Sequence, residues 1–152
     1  MKHDDICALP VNDISADDCI LFLWVTESHL PQGLEVLQSW GFDYKTIGFT
    51  WVKHYKSGAF CYNFSPYTLK STEICLIGMK GRLNKIKKKN DIKGLVFAVR
   101  TDHSKKPCEV RERITDMCFD KPKIELFARQ KTEGWDVWGD QSNKEEKQKS
   151  LL

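Results

Sequence analysis

The sequence predicts an α/β fold with a mostly parallel sheet and helices on its faces. Continuous apolar runs of strand length alternate with segments whose apolar residues recur at helical spacing, and most apolar runs end in an abrupt change to polar residues. Folds of this class bind ligands outside the carboxyl ends of their strands. The polar changes at Thr26, Lys53, Arg100 and Arg129 therefore mark where chemistry is expected.

The strongest strand signal is Cys19–Val25, an apolar run without alternation that is typical of a strand buried on both faces. Residues 30–40 follow with leucines at helical spacing, and Gly41 stands where a helix ends in glycine. A shorter helical segment at residues 4–8 precedes both and is stopped by Pro10. These elements predict a strand, a crossover helix and then the next strand.

Four further strands are predicted at residues 44–52, 73–79, 95–99 and 123–127. Pro107 favours the first turn of a helix over residues 107–117, whose apolar face is Val110, Ile114 and Met117. One compact domain is expected over residues 1–141, and the polar tail 142–152 is expected to be disordered.

Composition limits the function classes. The net charge of +3 permits a nucleic-acid partner without requiring one. The six cysteines are scattered without a C-x-x-C pair, so free thiols and no metal site are expected. No leader-like opening segment and no apolar run of membrane-spanning length are present, so we expect a soluble, cytoplasmic protein without a membrane partner.

Seven blocks of residues occur in one order along the chain. They are residues 21–26 (LFLWVT), 33–37 with 40–42 (GLEVL, WGF), 50–53 (TWVK), 75–81 (CLIGMKG), 104–107 (SKKP), 125–129 (ELFAR) and 134–141 (GWDVWGDQ). In this order they resemble the MT-A70 family, which includes messenger-RNA adenosine methyltransferases and small phage and bacterial DNA-adenine methyltransferases. The resemblance covers about residues 5–141, and the short loops are more similar to the phage and bacterial branch.

The resemblance implies a Rossmann-like methyltransferase fold with permuted motif order, in which the catalytic Asp-Pro-Pro-aromatic motif comes first and the cofactor-binding strand last. It implies S-adenosylmethionine-dependent methylation of the exocyclic amine of adenine in nucleic acid, with DNA as the favoured substrate and RNA as the alternative. By the same resemblance, Lys106 would meet the methionine carboxylate of S-adenosylmethionine, and Arg129 and Thr132 would lie around its ribose. Asp140 and Gln141 would bind the ribose hydroxyls.

Two positions depart from the family pattern. Asp140 replaces the commoner asparagine, and Lys131 replaces a histidine of the eukaryotic members. The residue types still suit the cofactor, because ribose hydroxyls need acceptors and a carboxylate needs a cation. Taken alone, residues 134–141 are also compatible with a tryptophan-anchored turn, and the Lys106-Pro107 pair with an ordinary helix start.

The catalytic Asp-Pro-Pro motif of the family is absent from this sequence, so no catalytic residue is assigned. The nearest sequence, NFSPY at residues 63–67, has one proline and is interpreted as a loop. Family members continue upstream of the position of Met1, so we interpret the chain as N-terminally truncated, with a truncated gene, a misassigned start or an excised fragment as explanations. The resemblance implies that a strand upstream of Met1 would lie in the sheet between the strands at residues 19–25 and 123–127. We therefore expect these two strands to pair directly or the chain to be marginally stable.

A basic segment and an aromatic segment predict a nucleic-acid surface. Residues 80–93 carry seven positive side chains against one aspartate, and residues 55–67 contain five aromatic side chains. The predicted contacts are Lys53, Tyr62, Tyr67, Lys85, Lys87, Lys88 and Lys89. A solvated basic loop and a satellite apolar core are the alternative interpretations. His29, His54 and His103 are not assigned as bases, although His29 and His103 follow predicted strands and could line the pocket.

The interpretation is thus an adenine-specific methyltransferase domain. Two alternatives are open: a non-catalytic nucleic-acid-binding or partner subunit, and an inactive remnant of a longer gene.

Overall fold

The structure is a computed structural model that describes residues 1–101 and 105–139. The chain forms two compact units, Met1–Phe119 and Asp120–Leu152. The single domain expected over residues 1–141 stays a prediction, and the tail at residues 142–152 lies outside the described residues. No helix in the described ranges is both long enough and apolar enough to cross a bilayer.

The first unit contains four α-helices and four strands in its described part. In chain order these are α1 (His3–Cys7), α2 (Val11–Ile14), β1 (Cys19–Val25), α3 (Leu30–Ser39), β2 (Asp43–His54), β3 (Thr72–Lys80), β4 (Leu95–Val99) and α4 (Cys108–Met117). Short 3-10 helices occur at Glu27–His29 and Leu83–Lys85. The second unit contributes β5 (Ile124–Leu126) and β6 (Asp136–Trp138). Every predicted element is present within two residues of its predicted bounds, whereas α2 and β6 were not predicted.

The main sheet has the order β1-β3-β2-β4. Strand β3 is antiparallel to both β1 and β2, and only β2 and β4 pair in parallel. The expectation of a mostly parallel sheet is therefore wrong for this sheet. The cause is the connection between β2 and β3, because residues 55–71 contain no helix and fold back on themselves through the Asn63–Lys70 bridge. A parallel return needs a longer crossover, usually a helix.

The sheet nevertheless places the carboxyl ends of three strands at one edge. Strands β1 and β2 are both antiparallel to β3, so they run in the same direction, and β4 is parallel to β2. The polar changes at Thr26, Lys53 and Arg100 therefore share an edge, as predicted. Because β3 runs the other way, its first residues, Thr72 and Glu73, reach that same edge.

Strand β1 was expected to be buried on both faces, but all seven of its residues are only half-buried. In the four-stranded sheet it is an outer strand whose partner is β3. The predicted direct pairing with the strand at residues 123–127 is also wrong, because β5 pairs with β6 in a separate two-stranded sheet. Residues 1–18 supply α1 and α2 rather than a strand. The marginal stability that was the alternative stays a prediction.

The core of the first unit lies between β3 and α3. Leu37 on α3 and Leu76 on β3 are fully buried, and Trp40 is nearly so. Gly33 allows α3 to approach β1, because a Cβ atom there would lie 2.5 Å from Cγ1 of Val25. Helix α3 ends before Gly41, whose φ of 81° provides the left-handed residue predicted there.

Candidate active site and nucleic-acid interface

Two lysines share one buried carboxylate at the common strand edge. Lys53, near the end of β2, and Glu73, near the start of β3, are 6% and 8% exposed. The Nζ atom of Lys53 lies 2.5 Å from Oε1 of Glu73, and Lys106, on the segment before α4, donates a hydrogen bond to Oε2. Each carboxylate oxygen therefore has its own ammonium donor. We call these three residues the lysine–glutamate cluster.

Two indole rings border the cluster. The Nζ atom of Lys106 lies 5.5 Å from the ring centroid of Trp24, and that of Lys53 lies 5.2 Å from that of Trp51. The two rings meet edge to face with centroids 6.4 Å apart, and the Trp51 indole donates to the carbonyl of Ala98 at 3.0 Å. Aromatic faces attract cations and exclude water. The ammonium groups are thus held in a partly desolvated, aromatic setting.

The electrostatics of the cluster favour one more anion. Burial alone would raise the pKa of Glu73, but the hydrogen bonds and charges of Lys106 and Lys53 outweigh it and leave that pKa below its ordinary value of 4.5. Two ammonium groups and one ionised carboxylate leave a net charge of +1. Lys106 keeps about a quarter of its side chain accessible, at 27% exposure, so an anionic ligand can reach it.

A second ion pair supports the same edge. Glu27, just after β1, binds Lys70 at 2.7 Å and accepts a hydrogen bond from the hydroxyl of Thr72. The hydrogen bonds of Lys70 and then Thr72 lower the pKa of Glu27, although burial opposes them. The end of β1, the connection at residues 55–71 and the start of β3 are therefore joined by charge-assisted hydrogen bonds.

The sequence patterns do not identify Glu73 or Glu27 as site residues. Glu73 is the only acidic residue of the apolar strand β3, and an acidic side chain in such a strand calls for a cationic partner. That signal was available in the sequence. The identity of the partners was not, because Lys106 is 33 residues away along the chain.

The predicted cofactor residues of the second unit are only partly described. Arg129 is exposed, and Thr132 is half-buried with a hydroxyl oxygen that has no hydrogen-bond partner within the described part of the chain. Asp140 and Gln141 lie outside the described residues. Phe127, just after β5, has a φ of 58°, a backbone conformation that is uncommon for a residue with a bulky side chain.

The basic segment is anchored through the apolar side chains of Ile86 and Ile92. Ile86 is 4% exposed and packs in a cluster with Met79, Met117 and Cys118. The four predicted lysines flank this anchor: Lys85, Lys88 and Lys89 are exposed, and Lys87 is half-buried. Lys89 pairs with Asp116 at 3.3 Å. The lysines therefore form a solvent-accessible surface on a fixed backbone.

The aromatic segment is exposed, so the satellite-core interpretation is wrong. Phe64 and Tyr67 are 99% and 94% exposed, and Tyr62 is 56% exposed. Lys53 does not belong to this surface. It is buried against Glu73, which does not suit a mobile phosphate contact, and we place it in the lysine–glutamate cluster instead.

The three histidines at the predicted strand ends have ordinary polar surroundings where they are described. The Nδ1 atom of His29 lies 2.7 Å from the hydroxyl of Thr26, and that of His54 lies 2.9 Å from the carbonyl of Tyr55. His103 lies outside the described residues.

Comparison with known proteins decides the family. A family model described as MT-A70 matches residues 1–141. The chain belongs to the MT-A70 family. The resemblance drawn from the seven sequence blocks is thereby confirmed, and the order of those blocks along the chain is the order of an MT-A70 domain.

Individual MT-A70 relatives are similar over most of this chain. The type II methyltransferase M.MunI of Mycoplasma sp is 39% identical over 139 residues, which cover 91% of this chain and 57% of that protein. The N(6)-adenosine-methyltransferase MT-A70-like protein of Drosophila melanogaster is 31% identical, covering 85% of this chain and 21% of its own length. The N(6)-adenosine-methyltransferase catalytic subunit METTL3 of Homo sapiens is 32% identical, over 74% of this chain and 20% of that protein. The chain thus spans 57% or less of each of these relatives.

Proposed function

We propose that this chain is part of an enzyme that transfers a methyl group from S-adenosylmethionine to the exocyclic amine of adenine in nucleic acid. The observation that carries the proposal is the lysine–glutamate cluster, a partly desolvated site of net positive charge at the common strand edge. Proteins that are 39% and 31% identical to this chain are named as methyltransferases, which supports the reaction type.

The cluster fits the methionine end of the cofactor. An ammonium group has three N–H donors, and Glu73 uses one of those of Lys106, so two remain for a carboxylate. An incoming carboxylate would also bring the net charge of the cluster to zero. Lys106 would hold and orient the cofactor, while Glu73 and Lys53 would fix the position of Lys106. S-adenosylmethionine supplies the electrophilic methyl group when bound.

The second unit offers groups for the ribose. The Thr132 hydroxyl is buried without a partner among the described residues, and a buried hydroxyl in that state favours a ligand that supplies one. We assign Thr132 and Arg129, together with Asp140 and Gln141, to the ribose of the cofactor.

The nucleic-acid substrate would bind through two surfaces. Lys85, Lys87, Lys88 and Lys89 suit backbone phosphates, whose contacts need accessible cations. The exposed rings of Tyr62 and Tyr67 suit stacking on a base, including one turned out of a duplex. We favour DNA over RNA, because the family resemblance links the bacterial branch to DNA and this chain is more similar to the bacterial M.MunI. Its identity to M.MunI is 39%, whereas its identity to the N(6)-adenosine-methyltransferases given above is 31% and 32%.

A second candidate is a nucleic-acid-binding or partner subunit without catalysis of its own. It is favoured by the exposed lysines of the basic segment and the exposed rings of the aromatic segment, which can bind nucleic acid without a catalytic residue. The exposed rings and lysines would serve this function equally well. An inactive remnant would lack both ligand binding and a cooperative fold.

Calorimetric titration of the 152-residue chain with S-adenosylmethionine tests the cofactor site. We expect saturable binding that weakens at least tenfold in Lys106→Met and is unchanged in Lys105→Met, the neighbouring lysine. Transfer of labelled methyl groups to adenine-containing DNA then separates the candidates. Binding of both ligands without transfer supports the second candidate. A chain that unfolds cooperatively but binds no cofactor contradicts the first.

A further inference from the structure

Three side chains near the start of the chain form a cluster of metal-binding type. His3 and Cys7 lie on α1 and Glu35 lies on α3, and one ligand atom from each lies within 4.8 Å of the others. They offer an imidazole nitrogen, a thiol sulfur and a carboxylate oxygen, which is the ligand set of mixed zinc sites. The cluster lies within the first compact unit.

The spacing of the ligands follows from the helices that carry them. Residues four apart on a helix lie on one face, so His3 and Cys7 point the same way from α1. Helix α1 is fixed against α3 because the indole of the buried Trp40 donates to the carbonyl of Ile6 at 2.8 Å. Glu35 therefore meets the pair from the facing helix, 32 residues from His3 in sequence.

Two of the three distances between ligand atoms are close to those that a tetrahedral zinc ion imposes. The Nε2 atom of His3 lies 3.5 Å from Sγ of Cys7. Zinc bonds of about 2.05 Å to nitrogen and about 2.3 Å to sulfur place these two atoms about 3.6 Å apart. The same nitrogen lies 2.9 Å from Oε2 of Glu35, and a zinc site needs about 3.4 Å there. The Glu35 side chain is 64% exposed, so it can make this small adjustment.

We propose that His3, Cys7 and Glu35 bind one Zn²⁺ ion, with water as the fourth ligand. On binding, the Cys7 thiol loses its proton to solvent and the imidazole binds in its neutral form. A thiolate and a carboxylate then neutralise the two charges of the ion. The ion would replace the hydrogen bonds of His3 to Cys7 and Glu35. It would thereby hold α1 against α3.

The sequence predicts no metal site, because its cysteines form no C-x-x-C pair. The His3–Cys7 spacing was overlooked, and the third ligand comes from a distant part of the sequence. The contact between α1 and α3 is what brings it into place. The proposal does not depend on the methyltransferase function.

Titration of the chelator-treated 152-residue chain with Co²⁺, followed by Zn²⁺, tests the site. Cobalt serves as a coloured probe, and we expect one equivalent to bind with a near-ultraviolet thiolate charge-transfer band that Zn²⁺ then abolishes. Cys7→Ser should remove the band and lower the affinity at least roughly tenfold, because even loss of a residue that only supports a ligand weakens metal binding about 10–100-fold. Cys108→Ser, which alters an exposed cysteine on α4, should leave both unchanged.

A conservative variant guards against loss of fold. Glu35→Gln alters an exposed side chain, so it should keep the circular dichroism spectrum of the parent chain while binding Zn²⁺ more weakly. Saturating Zn²⁺ should raise the Tm of the parent chain and of Cys108→Ser more than that of Glu35→Gln. Absence of Co²⁺ binding, or a charge-transfer band that persists in Cys7→Ser, overturns the proposal.

Discussion

The ammonium of Lys53 lies 2.5 Å from the carboxylate of Glu73, and both residues are more than nine-tenths buried. A charged pair in such a position is retained only if each charge has a partner, because an unpaired buried ion loses its hydration without compensation. Glu73 satisfies two cations at once, since Lys106 binds its other oxygen. The position of both lysines therefore depends on this one carboxylate.

Replacement of Glu73 by glutamine should strongly destabilise the first unit. An amide keeps the size of the side chain but leaves Lys53 as a buried cation without a counter-ion, at a cost of about 3–5 kcal/mol. Urea denaturation measures the free energy of unfolding. The control is Glu112→Gln on the exposed face of α4, which should change it little. Equal effects of the two changes would contradict the assigned role of Glu73.

Acid should weaken the fold through the same carboxylate. The pKa of Glu73 lies below 4.5 in the folded chain, so between that lowered pKa and 4.5 the unfolded chain binds more protons. Its stabilising contribution is therefore fully present above about pH 4.5 and is lost as the pH falls through the folded pKa. Denaturation curves measured from pH 7 down to pH 3 should show this loss, and Glu73→Gln should show less of it.

The sequence predicts most of the helices and strands but not the directions in which the strands pair. Strands Cys19–Val25 and Leu95–Val99 have the predicted bounds, because each is an apolar run bounded by polar residues. The antiparallel direction of β3 depends on how residues 55–71 fold back, and that segment carries no periodic signal. A local sequence pattern predicts where a strand lies. The path of the connecting segment decides which strand it pairs with and in which direction.

In the candidate site, too, single residues are predictable from the sequence, but the contacts between distant residues are not. Lys106 was identified from the family resemblance, but its partner Glu73 depends on a pairing across 33 residues. The sequence predicts Lys53 as a nucleic-acid contact at the end of an apolar strand. Its burial results from the antiparallel placement of β3, which brings Glu73 opposite Trp51, two residues before Lys53.

The thiol of Cys75 should be unreactive in the folded chain. Burial raises the pKa of Cys75 to about 12, with Lys106 opposing only part of that effect, and the residue is fully buried. Thiolates react with alkylating reagents and neutral thiols do not. Iodoacetamide at pH 8 followed by peptide mass spectrometry should label exposed Cys108 well before Cys75, and urea should remove the difference. Equal labelling rates in the folded chain would exclude a buried Cys75.

Charge reversal in the basic segment should weaken nucleic-acid binding. Changing Lys85, Lys87 and Lys88 to Glu leaves the ion pair between Lys89 and Asp116 intact while removing three accessible or half-accessible cations. The slope of log affinity against log salt should shrink by about 0.9 for each duplex phosphate that the variant no longer neutralises. Fluorescence anisotropy with labelled DNA at several salt concentrations measures the slope.

The matched control carries the same change of charge elsewhere. Lys2, Lys45 and Lys121 changed to Glu should reduce the slope less, because these side chains lie outside the basic segment. An unchanged slope in the first variant would remove the basic segment from the proposed interface.

The exposed rings of the aromatic segment should contribute to base binding rather than to stability. Phe64 and Tyr67 are 99% and 94% exposed, so their replacement by alanine removes almost no buried surface, and the Tm should stay the same. A ring that stacks on a base contributes about 1–3 kcal/mol to single-strand binding, so each change should weaken that binding roughly fivefold or more. Anisotropy with a labelled adenine-containing single strand measures it, and Phe119→Ala, at an exposed ring on another segment, is the control. If all three variants bind the single strand as the parent chain does, Phe64 and Tyr67 do not stack on bases.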